Sequence, residues 1–363
     1  MSSTVDASKA AAAAELFRIQ AAGCRLAGSP SPFYATLLDA LGADAAAGGA
    51  AAAVVADVVN LGLAAAIPLR LLGGVHRGVL AGELPDLARH FPSVGGDGDA
   101  TAASAALLQS LASPSSTIRG ALQWDPQTNE VGRAAALAIG LSEIAAATQL
   151  PIRLLEIGSS AGLNLRLDRY WYGVGGGWGD PSSPVRFEPA DFGCDTIERA
   201  GSRAFAFAPT IADRLGCDLN PLDASSDVGA LTLLGYVWPD QHDRAARLRA
   251  ALAVARETSV TILRMNADDF VAEHFVASEG VTTVLMHSIV WQYLPNAAQR
   301  RIEQVVADRI SIASATAPLA WLRFEPRPDQ AHPETRVRVW PHAPESRIVA
   351  ESTYHGPPVR VLA

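Results

Sequence analysis

Lysine is nearly absent from this chain of 363 residues: Lys9 is the one lysine among 29 basic residues, set against 37 acidic ones and a formal charge of −8. That balance excludes broad electrostatic binding of nucleic acid, which needs a basic face, although a local patch remains open. Alanine is abundant, a bias of high-GC genomes rather than of a function. Cysteine is equally scarce. Cys24, Cys194 and Cys217 show no C-x-x-C spacing and lie near no histidine pair, which argues against a zinc site and a disulfide framework and for a reducing cytoplasm; no metal is expected. Long apolar runs are missing too. Residues 49–67 come nearest, but alanine dominates them and Asp57 and Asn60 interrupt them, so they read as a packed helix and no membrane partner is expected. Residues 1–14 carry no basic region followed by a leucine-rich core, so no signal peptide is expected.

What is present changes character along the chain. Up to about residue 148 the apolar residues recur at helical spacing, over 8–27, 31–41, 50–72 with a break at Pro68, 101–111 and 130–148, with a Gly/Asp loop at 93–100. From Ile152 short apolar runs alternate with helical stretches, the signature of a parallel α/β sheet. Strands are expected at 152–157, 216–219, 260–263, 281–287 and 318–324, with helices at 162–171 and 243–257. Residues 185–188 and 204–207 are expected to form a small hairpin, within an insertion near 173–215. Two final runs, 335–340 and 347–354, have no helix between them and predict a terminal antiparallel hairpin. The reading is a helical domain over 1–125 and an α/β domain over 126–363, the first packed over the carboxyl edge of the sheet.

The most informative segment is Glu156-Ile157-Gly158-Ser159-Ser160-Ala161-Gly162. A buried strand ends in an acid and a turn of small residues, whose main chain a ligand can approach. The pattern is E-x-G-x-S-x-G, not the dinucleotide G-x-G-x-x-G, and it resembles the first motif of class I S-adenosylmethionine methyltransferases. Asp218, in Gly216-Cys217-Asp218-Leu219-Asn220, resembles the acid of their second motif, which accepts both ribose hydroxyls. Its distance from the turn exceeds the usual ~20 residues, so Glu188 competes for the role, and an Asx turn is the structural alternative. Asp268, after the third strand, is a candidate for the adenine amino group, although Asp268 or Asp269 could equally cap a helix. His287 ends the fourth strand as a candidate base facing the methyl acceptor, with Trp291 and Tyr293 beside it as candidate substrate walls. Arg133, at the start of the helix before the first strand, could reach a cofactor carboxylate; the structural alternative is a capped helix start. Trp238 sits in a polar loop suited to a ligand wall. Arg323 and Glu325 flank one strand end as a candidate ion pair. The N/D-P-P-Y mark of nucleobase amino-group methylation is absent.

Together QTNEVGR, LLEIGSSAGLNLRLDRYWY, GCDLNPLD, HSIVWQYL, WLRFEP and the terminal HG-P resemble an uncharacterised actinobacterial family, domain-of-unknown-function family 2332, from about Phe17 onward. The further resemblance to class I methyltransferases implies a Rossmann-like α/β sheet. It also implies S-adenosylmethionine held by Glu156, Gly158, Ser160, Gly162, Asp218, Asp268 and Arg133, and a small-molecule acceptor. Two rivals stand beside it. One is a scaffold on a degenerate methyltransferase fold. The other is a serine hydrolase, since Gly158, Ser160 and Gly162 also fit G-x-S-x-G, with Ser160, Asp268 and His355 in hydrolase order.

Overall fold

A computed structural model describes residues 6–26, 30–193, 207–327 and 332–362. It divides into two units, residues 1–128 with 227–246, and residues 129–226 with 247–363. The boundary expected at 125/126 therefore falls at 128/129, and residues 227–246 join the first unit rather than the second. Part of the expected 204–207 strand, and Cys194, lie outside the described residues.

The first unit is helical. Its helices include Ala7–Gly23, Pro32–Ala46, Ile67–Leu80 and Ala100–Leu111. Their starts follow from side chains that accept otherwise orphaned amides: Asp6 from Ser8, Ser31 from Tyr34, Asp99 from Thr101 and Ala102. Pro68 falls in the first turn of its helix, where the missing N–H costs nothing, so the expected break is a helix start. The apolar stretch 49–67 is no continuous helix; it breaks into Ala50–Val55 and two short 3₁₀ turns. Phe17, Tyr34, Leu37, Leu38, Leu41, Leu71, Val75 and Phe91 form its core. Among the described residues two helical stretches reach the length and mean hydropathy of a membrane span, Leu63–Leu80 and Val131–Thr148, and 67% and 72% of them respectively are buried within the fold.

The second unit carries an eight-stranded, mostly parallel sheet. The strands are β1 Ile152–Ile157, β2 Trp171–Tyr172, β3 Trp178–Gly179, β4 Arg186–Phe187, β5 Ile211–Asp218, β6 Thr261–Arg264, β7 Thr282–Ser288, β8 Leu319–Glu325, β9 Glu334–Trp340, β10 Ala343–Thr353 and β11 Gly356–Val361. The large sheet runs β11-β10-β9-β8-β7-β1-β5-β6, and β3-β2-β4 form a small one. Pairing from β6 to β8 is parallel and from β8 to β11 antiparallel. The central strands β1 and β7 are buried almost throughout because helices cover both faces. Helix Ala134–Thr148 lies on one face, where a Cβ added at Gly140 would meet Leu322 Cδ1 at 2.3 Å. Phe270, Val271, Ile302 and Val306, from helices Ala267–His274 and Asn296–Ile310, pack with Leu155, Ile157, Leu285 and Trp321 on the other.

Two expectations are corrected. The segment after β1 is not an α-helix but a 3₁₀ stretch, Asn164–Arg169, running into β2. Side chains take its carbonyls: the Arg166 guanidinium donates to Ala161 O and Gly162 O, and the Tyr170 hydroxyl to Leu163 O. Residues 186–187 pair in parallel with β2. The antiparallel pair expected over 335–354 is β9 and β10, but a further strand, β11, follows it because Gly356 reverses the chain.

Candidate functional site

The order β5-β1-β7 places a topological switch point between β1 and β7, since the chain leaves β1 to one side and later returns to the other. Ligands of open α/β sheets bind in that crevice, beyond the carboxyl ends of the strands. Both loops leaving these strands carry strain. Ser160 follows β1 and Ile289 follows β7, each at φ +52°. A β-branched residue there is a true outlier, and such conformations cost roughly 1–3 kcal/mol each. The loops are packed together: at Gly158, φ +66°, an added Cβ would lie 2.4 Å from Val290 Cγ2.

On the face covered by helix Ala134–Thr148, Asp218 laces the β1 turn to β5. Ser160 N donates to its Oδ2 at 2.8 Å and Asn220 N to its Oδ1 at 2.9 Å. Glu188 sits instead on the small sheet, capping a 3₁₀ turn and pairing with Arg186. Glu156 is buried, and its Oε2 has no hydrogen-bond partner. Burial raises its pKa well above the ordinary carboxylate range, Asp218 adds to the effect, and Arg133 and Arg166 oppose it. Asn164 is buried with neither amide atom partnered. Arg133 donates to Ser288 O at 3.2 Å and to Tyr354 O at 3.0 Å, so it ties the end of β7 to the β10–β11 turn. A Cβ at Gly162 would meet Ile262 Cδ1 and Val260 Cγ2, both at 2.9 Å. Protein side chains occupy that space, so Gly162 serves packing rather than ligand approach.

His287 lies on the opposite face from Glu156. Glu156 pairs with Met286 in register, and the next residue points the other way. His287 is fully buried; its Nδ1 lies 2.6 Å from Glu325 Oε1, and its ring stacks on Trp291 at 5.3 Å. Glu325 Oε1 also accepts the amides of Val290 and Trp291, holding the strained loop. Glu325 thus pairs with His287 rather than Arg323. Tyr293 is exposed.

The remaining candidates fall elsewhere. Asp268 is committed to Arg301 at 2.8 Å and caps no helix, the N-cap position being Asn266. Trp238 belongs to the helical unit, tilted against Tyr34 at 6.1 Å and packed on that unit's core. His355 Nδ1 faces Glu130 Oε2 at 3.2 Å, so the set Ser160, Asp268, His355 is not assembled as a triad: its acid and its base are engaged by other residues.

A family model described as uncharacterized protein conserved in bacteria, domain of unknown function 2332, matches residues 14–360. The chain belongs to that family. No curated protein and no solved structure matches it. Motif reasoning passed over two residues of the run GSSAGLNLRLDR: Asn164, buried with its amide unpartnered, and Arg166, which holds the Ala161 and Gly162 carbonyls. Glu325 was visible only as a strand-end acid, since its partner lies 38 positions away in sequence. Among the described residues no group of three or more His, Cys, Asp or Glu could hold a metal ion.

Proposed function

We propose that this chain binds S-adenosylmethionine on a methyltransferase-type Rossmann sheet and methylates a small organic molecule. The carrying observation is Asp218 at the switch-point turn. Each of its oxygens accepts one backbone amide, and a carboxylate offers about four acceptor positions, so two remain for a ribose diol. The unpartnered, buried Glu156 and Asn164 beneath the same turn, and Arg133 at the end of β7, fit the polar remainder of such a cofactor. When bound, the cofactor supplies an activated methyl group on a sulfonium. The protein's part is to position both partners and exclude water. We place the reaction in the reducing cytoplasm of an actinobacterium, on the composition and on Cys24 and Cys217, which are buried, unpaired thiols pushed up to about 11 and about 12 by burial. The acceptor is a small molecule rather than a nucleic acid, in keeping with the net charge of −8.

Titration calorimetry with S-adenosylmethionine and with S-adenosylhomocysteine tests this. One saturable site per chain is expected, and Asp218→Ala should weaken it by about 1–3 kcal/mol through the lost charged acceptor. An unchanged affinity with lowered thermal stability would reduce Asp218 to a turn residue. No heat from wild-type protein at millimolar ligand would end the methyl-transfer reading and leave the scaffold reading ahead of it.

A further inference from the structure

The β7–β8–β9 end of the sheet gathers polar groups that the cofactor reading does not use. Arg323 on β8 stands directly beside His287 on β7 and directly opposite Arg336 on β9. Its guanidinium lies over the Trp321 ring at 4.7 Å. It is half-buried and has no hydrogen-bond or ion-pair partner among the described residues, whereas Arg336 is held by Glu334 at 2.7 Å. Like charges opposed across a strand pair are destabilising. Arg338, also nearby, is stacked on Trp340 and donates to Pro344 O. Burial first, then Arg336 and Arg338, lower the Arg323 pKa, and Glu325 and Glu303 only partly offset them.

Around this cation lie further unpartnered atoms. Trp321 Nε1, His287 Nε2 and Glu325 Oε2 are each buried without a hydrogen-bond partner, although His287 and Trp321 are themselves nine-tenths or more buried. Such groups are expensive to leave unmatched. The Glu325 carboxylate beside Nδ1 accepts from that nitrogen, which leaves Nε2 as the acceptor of the ring. Flat walls complete the set: Trp291 stacks on His287, and Trp291 meets Trp321 edge to face at 5.7 Å.

We propose that this cluster binds a hydroxylated aromatic carboxylic acid, its carboxylate on the Arg323 fork and its hydroxyl donating to His287 Nε2. A guanidinium fork matches a carboxylate with two parallel, charge-assisted bonds. Indole walls take a planar ring at low cost in ordering. The site supplies donors at one end and an acceptor at the other, which selects an acid that also carries a hydroxyl. As the methyl acceptor's pocket this rests on the proposed methyl transfer; the binding itself does not, and is tested with no cofactor present.

The probes are the three monohydroxybenzoates, with benzoate and 4-hydroxybenzyl alcohol as the compounds lacking one group each, followed by calorimetry and by tryptophan fluorescence. At least one monohydroxybenzoate should bind saturably and quench fluorescence, tenfold or more tightly than either comparison compound. Arg323→Met should abolish the preference over the alcohol, Arg323→Lys should keep part of it, and His287→Phe should abolish the preference over benzoate. Thermal unfolding of each variant shows that it is folded, and if Arg323→Met does not fold, Arg323→Lys carries the comparison. Equal binding of acid and alcohol, no binding of any probe at millimolar concentration, or a folded Arg323→Met with wild-type affinity would overturn the site. Inorganic phosphate binding as tightly as the hydroxybenzoates would overturn the aromatic acid. Cofactor binding in the absence of hydroxybenzoate binding would overturn this pocket alone.

Discussion

Gly356→Ala is expected to destabilise the second unit by about 2–6 kcal/mol, the sum of a left-handed backbone penalty of roughly 1–3 and an overpacking cost of similar size. Gly356 turns the chain from β10 into β11 at φ +92°. An added Cβ would stand 2.1 Å from Gly132 O and 2.2 Å from its carbonyl carbon. The contact is reciprocal: a Cβ at Gly132 would lie 2.0 Å from His355 O. Both obstacles are backbone, which cannot swing aside as a side chain can. The clasp also carries Glu130, which pairs with His355, and Arg133, which bonds the turn at Tyr354. Gly120, in helix Ser116–Ala121, has nothing within 4 Å of an added Cβ, and Gly120→Ala should stabilise by about 0.5–1 kcal/mol through helix propensity. Urea unfolding of the two variants beside wild type decides it. A Gly356→Ala protein within about 1 kcal/mol of wild type, less than the smallest backbone penalty plus overpacking, would mean that the clasp yields.

Glu156→Gln should change how stability depends on pH more than any other single substitution at the site. Burial raises the folded-state pKa of Glu156 well above its ordinary value, so the native state holds this proton more tightly than the unfolded chain does. Stability from this group is therefore fully present below the unfolded carboxylate pKa. It is lost as pH rises towards the folded value, at up to about 1.4 kcal/mol per pH unit. Glutamine keeps the shape and carries no proton to lose. The variant should match wild type near pH 4, apart from a constant offset, and gain on it steadily as pH rises above the ordinary carboxylate range of about 4.3. Urea unfolding at a series of pH values measures the difference. Parallel stability curves for the two proteins would show that Glu156 ionises normally, with Arg133 and Arg166 outweighing burial and Asp218.

Much of this could be read along the chain. The switch from helical spacing to short apolar runs at Ile152 marks the start of the sheet, because a strand buried on both faces is mostly apolar. The acid and small-residue turn at 156–162 marks the end of its first strand, since only such residues turn the chain so sharply beneath a neighbouring loop. Asp218 was legible as the end of the adjacent strand, though its bond to Ser160 N spans 58 positions and only the parallel pairing of β1 with β5 brings it there. The helix expected after β1 misled because side-chain donors from Arg166 and Tyr170 replace the backbone donors a helix would use, and propensity does not register them.

Sequence by itself determined the class of each unit, the place of the strands and the membership of a bacterial family, because these follow from periodicity and from motifs local in the chain. Tertiary structure alone decided which side chains meet. Glu156 and His287 end neighbouring strands, yet the register of β1 with β7 sends them to opposite faces. Glu325 reaches His287, and Arg301 takes Asp268, through strand order and helix packing. Residue 227–246 went to the helical unit although the sheet's strands flank it. A strand's alternation is set two residues at a time, but which face receives which partner depends on pairings between segments far apart in the chain.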